Sequence, residues 1–506
     1  MEKGIMVSAQ EAAGRLSASA AKSAGKHWAA KANPGISIIP PAPVKKLNAM
    51  PGVPWPLHFA NRITFGAEKN FIDAIKEFGF QAILEWQLDP EAIDDGGFEE
   101  LLYENLPTLG ATPQELIAND EFQMQAAGQL ITASLFRQAF SPRQLFERMV
   151  EFWSDHFNVS IFDGPVRFLK TVEDREIIRP LALTRFRDLL HANAKSPAML
   201  FYLDNYTNTY VGPNENYARE LMELHTLGVD GGYGEKDVLE VARALTGWTI
   251  RQREGTFRFN ALAHDYGEKT VLGITIPGGG GVSDGETVLD ILADHPSTAR
   301  FISYKLARRF VSDNPPDSLV DKLAASFTAT DGHIPTLLRT LFSSSEFWQN
   351  RETKTKRPID FINSTLRTLG LEADQRIIRF ITARLETLAQ IPFGWHAPNG
   401  YADVAGYWTN TSALINRWNT INSAVFETPA ETITDWLGDA ASPNAIIATM
   451  SSAGLHRKIS LTDKNTVLQS IFAGLPANDP LPATSLEFYG RVVLIALLSS
   501  RHFQLR

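Results

Sequence analysis

Apolar residues recur at three- and four-residue steps along most of the chain after Leu57, and this spacing predicts α-helices. The stretch 67–88 follows the pattern, and Gly79 within it predicts a break between two helices. Two further amphipathic stretches cover residues 120–140 and 141–157. The pattern therefore predicts a mainly α fold, a multi-helix bundle assembly.

The helical pattern is interrupted between Thr256 and Pro277, where β-favouring residues alternate with turn signals. A glycine run, Gly278 to Gly281, follows and predicts a loop, because no Lys-Ser/Thr pair comes after it to make a phosphate loop. We therefore expect a small β-containing insert in the helical fold. The predicted divisions are a leader and connector at 1–50, a helical region at 51–250, the insert at 251–285 and a second helical region at 286–506.

Residues 1–50 are rich in Ala, Ser and Lys, and they lead into prolines spread between Pro40 and Pro56. Proline breaks helices and favours extended backbone, so we expect a mobile leader followed by an extended connector. The first residues lack an apolar core ahead of a cleavage site and do not form a recognisable signal peptide. These residues do not indicate in which cellular compartment the protein acts.

Composition narrows the classes of function. The formal net charge of −9 repels phosphate backbones, which argues against nucleic acid as a partner. The chain has no cysteine, so disulfides, thiolate catalysis and thiolate metal sites are excluded. No apolar run approaches the roughly 20 residues of a membrane helix, and we expect no transmembrane segment.

The segment from Asn214 to Tyr233 is dense in groups that bind metals or move protons. At 100° per residue, Asn216, Glu220 and Glu223 fall on one helical face. Two carboxylates in unlike environments can divide acid and base roles, or they can bind a metal. Ordinary surface ion pairs between glutamates and Arg219 explain the same spacing, and both readings stay open.

Two histidines are further catalytic candidates. His156 shares a helical face with aromatic residues, so it either packs in the core or faces Glu220 and Glu223 across a helix pair. His264 precedes Asp265 in the insert, where the pair either transfers protons or belongs to a turn. The nature of any metal or cofactor is unknown from these residues.

Three other segments suggest ligand binding. Asp204 and Asn205 lie in a loop rich in tyrosines and amides, which suits a glycan or a polar small molecule but also a hydrogen-bonded loop. Trp395 and His396 begin an aromatic, glycine-rich stretch that either covers a pocket or packs in the core. The helix 295–311 has several arginines and a lysine, which bind an anion or form a solvated face.

Seven segments occur in an order that resembles the bacterial domain-of-unknown-function family numbered 1800, over residues 57–506. The resemblance implies a largely helical protein, and it implies export for many members and a sulfatase-like partner protein encoded nearby. The segments are EFWSDHFNVS, LDN, NENYARELMELHTLGV, DVLEVARALTGWT, HDYGEKTVLG, HPSTARFISYKLARRFV and GWHAPNGYADVAGYW.

Two hypotheses of function follow. In the first, the chain is an enzyme, for example a hydrolase, that acts on a carbohydrate or envelope polymer through Glu220 and Glu223, with His156 and His264 as auxiliary groups. In the second, it is a non-catalytic envelope or secretion-associated assembly protein, and the same carboxylates belong to a buried polar network. Burial of the carboxylates against arginine would favour the second hypothesis.

Overall fold

The computed structural model describes residues 53–371 and 375–506, so the predicted leader and connector lie outside the described residues. Over the described residues the fold is mainly α-helical with two small antiparallel sheets, which confirms the predicted fold class. No helix in this part of the chain has the length and apolar character needed to cross a membrane.

The α-helices are short to medium in length and are joined by tight connections. The longest has 21 residues and is the predicted helix at 120–140. In chain order they are α1 Trp55–Ile63, α2 Lys69–Phe78, α3 Phe80–Leu88, α4 Gly96–Asn105, α5 Pro113–Ala118, α6 Asp120–Phe140, α7 Gln144–His156, α8 Val166–Glu173, α9 Arg179–Leu181, α10 Phe186–Ala194, α11 Pro197–Tyr202, α12 Glu215–Glu220, α13 Glu235–Ala244, α14 Val282–Asp294, α15 Pro296–Phe310, α16 Asp317–Ala329, α17 Ile334–Phe342, α18 Ser345–Gln349, α19 Pro358–Leu369, α20 Gln375–Thr387, α21 Ala405–Trp408, α22 Thr411–Glu427, α23 Ala430–Leu437, α24 Pro443–Leu455, α25 Leu461–Ile471, α26 Leu486–Ser499 and α27 Arg501–Gln504.

Within residues 53–371 and 375–506, two π-helical segments continue α-helices without a break. Asp174–Ile178 follows α8 and Leu221–Thr226 follows α12. Gly79, between α2 and α3, has φ of 83°, a left-handed conformation that ends one helix before the next begins. The predicted helix break at this glycine is confirmed.

The insert contains two hairpins. Strands β1 (Trp248–Arg251) and β2 (Thr256–Phe259) pair antiparallel, with Trp248 opposite Phe259. Strands β3 (Lys269–Val271) and β4 (Ile274–Ile276) form the second pair. The first strand begins eight residues before the β-rich pattern seen in the sequence, because Trp248 lies at the end of a helical motif that hides the change.

Apolar side chains gather mainly in two large clusters. One runs from Val53 to Trp348 and includes the insert. The other groups residues 359–503 with Phe65, Leu135 and Ala139 from the first part of the chain. The domain boundaries proposed from the sequence stay predictions, while the side chains between these clusters prove to be unusually polar, as described below.

Candidate functional site

The helix that bears the paired carboxylates changes its hydrogen-bonding pattern halfway along. Asn214 caps α12 by accepting a bond from the Asn216 N–H at 3.0 Å. The π segment follows, and there the Leu227 N–H donates to the Met222 carbonyl at 2.8 Å, five residues back. This wider turn alters the angle between Glu220, in the α part, and Glu223, in the π part.

Glu220 and Glu223 are both half-buried. Burial raises the pKa of the Glu220 carboxyl, and the nearby charge of Glu223 raises it further, while Arg219 opposes the shift. Among the described residues, no ion pair or hydrogen bond joins either carboxylate to a cation. The pair therefore resembles two interacting acids more than it resembles a salt-bridged surface.

Phenol groups lie beside this pair. Burial raises the pKa of the Tyr202 hydroxyl to about 12, and Asp163 and Glu220 add to the effect. Burial also raises the pKa of Tyr233, with contributions from Glu223 and Glu220. Both tyrosines thus lie within electrostatic range of the carboxylates. Tyr202, Tyr233, Glu220 and Glu223 together form an acidic, aromatic patch.

Arg219 makes one of the two surface ion pairs that the spacing predicted, with Glu215, and in place of Glu223 it pairs with Glu235. Its guanidinium lies 3.1 Å from Glu215 and 2.6 Å from Glu235. Glu235 begins α13, which packs against α12. The ordinary ion-pair interpretation is confirmed for Glu215, and it leaves Glu220 and Glu223 unexplained.

The loop before the motif helix is mostly structural. Asn205 is buried and donates to the Trp248 carbonyl at 3.0 Å, which ties the loop to the insert. Asp204 is exposed in a left-handed conformation with φ of 61°. The exposed Asn216 amide donates to the Leu203 carbonyl at 3.3 Å. Of the three, Asp204 has the side chain most available to a ligand.

The aromatic stretch after residue 393 lies against the same patch. The Tyr202 hydroxyl donates to the His396 carbonyl at 2.6 Å, and the His396 ring lies 5.3 Å from that of Phe162. The Asn158 side chain donates to the Trp395 carbonyl at 3.0 Å and so fixes the backbone of this stretch. Trp395 and His396 are therefore neighbours of Tyr202, whose pKa is raised in part by the charge of Glu220.

His156 is buried and contacts the motif helix from its inner side. Its Nε2 lies 3.0 Å from the His225 carbonyl oxygen, so this nitrogen bears the proton and donates. Its Nδ1 then accepts from the Lys305 ammonium at 2.8 Å. Burial lowers the pKa of His156 well below its usual range and that of Lys305 to about 8. In the described part of the chain, no hydrogen bond joins His156 to either motif carboxylate.

His264 lies in the insert and has partners of its own. Its Nδ1 is 2.7 Å from the Thr246 carbonyl oxygen, and its Nε2 is 3.2 Å from Asp284. The buried Lys269 ammonium also binds Asp284, at 2.7 Å. Asp265, which follows His264 in the sequence, forms an ion pair with Arg243 at 2.8 Å and does not bond to His264. The structure thus brings His264 into an internal cluster, and its catalytic role stays a prediction.

A large buried ionic network includes Asp155, the residue before His156, and sequence reasoning missed it. Glu151 accepts hydrogen bonds from both Arg309 and Arg357. Arg357 also binds Asp155 at 2.7 Å, beside His156 in sequence. Arg309 belongs to the basic helix whose alternative interpretation was a solvated face, yet it is 1% exposed.

The network extends to the last residues of the chain. The Lys354 ammonium lies 2.7 Å from Asp313 and 3.0 Å from Asp403. Asp360 binds Arg148 directly and has Arg506 at 3.5 Å. The signal available in the sequence was the position of several of these residues inside the motifs quoted above, but that signal does not show which charges meet.

The described residues were compared with the ligand sets that hold metal ions. Among the described residues, no group of three or more His, Asp or Glu side chains is placed to hold a metal ion. Glu220 and Glu223 supply two carboxylates, and an oxygen-ligand metal prefers several more oxygen ligands. The pair alone thus suits proton transfer better than it suits a protein-built metal site.

Comparison with known proteins gives a family. The family model described as a protein of unknown function (DUF1800) matches residues 58–505, which is most of the chain. Searches of curated proteins and of solved structures each found no match. The chain therefore belongs to the DUF1800 family of proteins of unknown function.

Proposed function

We propose that this protein is an enzyme that hydrolyses a carbohydrate or a related envelope polymer, with Glu220 as general acid. The observation on which the proposal rests is the half-buried Glu220, whose pKa is raised by burial and by Glu223 with no cation bound to it in the described residues. A carboxyl group whose pKa is raised holds its proton to a higher pH than an ordinary glutamate does, and in the protonated form it can donate to a leaving oxygen.

Glu223 then acts as the ionised partner. Cleavage of a glycosidic bond uses one carboxylic acid to protonate the leaving oxygen and one carboxylate to activate water or stabilise the developing positive charge. Tyr202 lies near Glu220, and the adjoining Trp395 and His396 offer ring faces and polar edges of the kind that bind sugars. His156 fixes the helix that bears both carboxylates through its bond to the His225 carbonyl.

The test compares leaving groups. Glu220→Gln should abolish turnover of natural glycans but spare part of the turnover of nitrophenyl glycosides, whose leaving group needs no proton. Glu223→Gln should abolish both reactions. Glu215→Gln is the matched control on the same helix, since Glu215 only pairs with Arg219 on the surface. The proposal fails if a broad glycan panel shows no turnover, or if the three variants behave alike.

A second candidate function is the assembly role, and the buried ionic network favours it. Buried charges add little net stability but can fix one arrangement of packed helices, as a rigid scaffold requires. In that case the sulfatase-like partner implied by the resemblance would bind the chain without any substrate being consumed. The double change Glu220→Gln and Glu223→Gln separates the candidates: an assembly protein should keep partner binding in a pull-down, and an enzyme should lose turnover while staying folded.

A further inference from the structure

The ionic network contains more positive than negative charge. Six cationic side chains take part: Arg62, Arg148, Arg309, Lys354, Arg357 and Arg506. Five carboxyl side chains face them: Glu151, Asp155, Asp313, Asp360 and Asp403. Burial raises the pKa of Asp155 to about 7, so its negative charge is only partial at neutral pH. The buried Arg417, with a pKa of about 10, lies within electrostatic range of Asp360 and adds to the excess, whereas burial lowers the pKa of the nearby Lys356 to about 7.

Two arginines at the centre of the network have donors with no partner. Arg309 and Arg506 are each 1% exposed. In the part of the chain that the structure describes, the Nε and Nη1 atoms of both side chains make no hydrogen bond. Arg309 Nη1 is 3.9 Å from a carboxylate oxygen of Asp403, beyond hydrogen-bond reach.

These unpaired donors belong to two residues that are neighbours in the fold, because the Arg506 side chain reaches the backbone of Arg309 and, besides burial, the charge of Arg309 lowers the pKa of Arg506. The Arg506 Nη2 is 3.5 Å from the Arg309 carbonyl oxygen. Arg506 also senses the charges of Asp360, Asp403 and Arg357. Burial and the neighbouring arginine lower its pKa to about 10, so it remains charged at neutral pH.

We infer that the unpaired donors of Arg309 and Arg506 bind one small oxyanion, such as sulfate or phosphate, as an internal part of the folded protein. Water could satisfy the free N–H groups, but it has no charge and cannot balance the excess of cations. An oxyanion does both, because a guanidinium offers paired N–H donors in the geometry that its oxygens accept. This site is separate from the carboxylate pair, and the glycan assay does not depend on it.

Arg506→Met is the variant that tests the site most cleanly. Asp360 keeps its bond to Arg148 and accepts one from the Arg357 N–H at 3.3 Å, so removal of Arg506 leaves no carboxylate without a partner. Without added oxyanion, we expect Arg506→Met to melt at the same temperature as the wild type or higher, because a surplus buried cation is gone. Arg506→Lys keeps the charge but not the paired donors, and it should respond to oxyanion at higher concentrations.

The experiment is a thermal titration of the desalted full chain with sodium sulfate at constant ionic strength. The wild type should gain about 1–3 °C per tenfold increase above the dissociation constant. Arg506→Met should show no gain, and Arg251→Gln, a surface change beside Glu254, should respond like the wild type. Ion chromatography of the denatured wild-type protein provides an independent measurement and should release about one oxyanion per chain.

Two results would overturn the inference. The first is a wild-type melting temperature that does not change with sulfate or phosphate, together with no released oxyanion. It would mean that the excess positive charge of the network is balanced by groups of the chain itself. An equal gain in the wild type and Arg506→Met would mean that sulfate acts by general exclusion from the surface, as it does for many proteins.

Discussion

At the scale of single residues, Glu151 and His225 show how polar groups in this interior differ in their partners. Glu151 binds two guanidinium groups, so its charge is compensated on both oxygens. His225 is fully buried, and in the described part of the chain neither ring nitrogen has a hydrogen-bond partner. The first residue should therefore be sensitive to substitution, and the second to pH.

Replacement of Glu151 by glutamine should lower the free energy of unfolding by about 3–5 kcal/mol, because it leaves Arg309 and Arg357 without their shared carboxylate. Urea unfolding followed by circular dichroism measures this change. Glu235→Gln, which removes a fully exposed surface partner of Arg219, should leave the urea midpoint close to that of the wild type. Equal losses for both variants would contradict the compensating role of Glu151.

Burial lowers the pKa of His225 to about 3, with Lys305 contributing. The folded protein thus binds fewer protons here than the unfolded chain, so this residue's share of stability is present above the unfolded pKa and is lost as pH falls below it. The loss should approach about 1.4 kcal/mol per pH unit until the folded pKa is reached. His225→Leu should unfold with a shallower dependence on pH between 6.5 and 4.5, and an unchanged slope in urea titrations would refute this account.

At the scale of elements, the helices were largely predictable and their contacts were not. Gly79 marks its break through a backbone conformation that glycine adopts readily, so the sequence alone indicates it. The π segment after Glu220 was not predicted from the sequence. Hydrophobic spacing does not distinguish a helix whose backbone hydrogen bonds reach four residues back from one whose bonds reach five residues back. Glu220 and Glu223 could be proposed from their spacing, whereas the meeting of Glu151 with Arg309 depends on contacts between distant helices.

The loop that precedes α21 gives a prediction at this scale. Gly400 has φ of 69°, and a Cβ there would come within 2.1 Å of the Asp155 carbonyl oxygen. Gly400→Ala should therefore displace the loop or the end of α7 and destabilise the protein by more than about 2 kcal/mol. Gly406→Ala is the matched control, since nothing lies within 4 Å of its Cβ position. Similar melting temperatures for both variants would show that the loop yields without cost.

At the scale of the whole molecule, the ionic network connects the two apolar clusters. Glu151 and Arg309 lie on α7 and α15, helices that contribute to the first cluster, while Arg357 immediately precedes α19 of the second. The connection is made by hydrogen-bonded charges, whose strength depends on every member being present. The two clusters should consequently unfold together as long as the network is complete.

Arg357→Met should separate their unfolding. The variant removes the bonds to Glu151 and Asp155, so amides of 359–371 should exchange at lower denaturant concentrations than those of α7. Hydrogen exchange with mass spectrometry resolves the two sets of peptides. Arg300→Met, which removes only surface pairs with Asp317 and Asp321, should leave both sets unchanged. A single shared transition in Arg357→Met would mean that apolar packing alone couples the clusters.

The wide turn at Leu221–Thr226 has a consequence for how the gene can vary in length. A π turn holds one residue more than an α-helix needs to reach the same point, so the loss of a single codon here would restore ordinary helical bonding and keep the chain in frame. Every substitution described above preserves the register between Glu220 and the His225 carbonyl that His156 binds. A one-codon deletion inside the π turn would keep the two at nearly the same angle, because the closed turn reaches the same point, whereas the same deletion in an ordinary α-helical turn would rotate one relative to the other by about 100°. The motif helix should therefore tolerate the loss of one residue within Leu221–Thr226 better than the loss of one residue within α12.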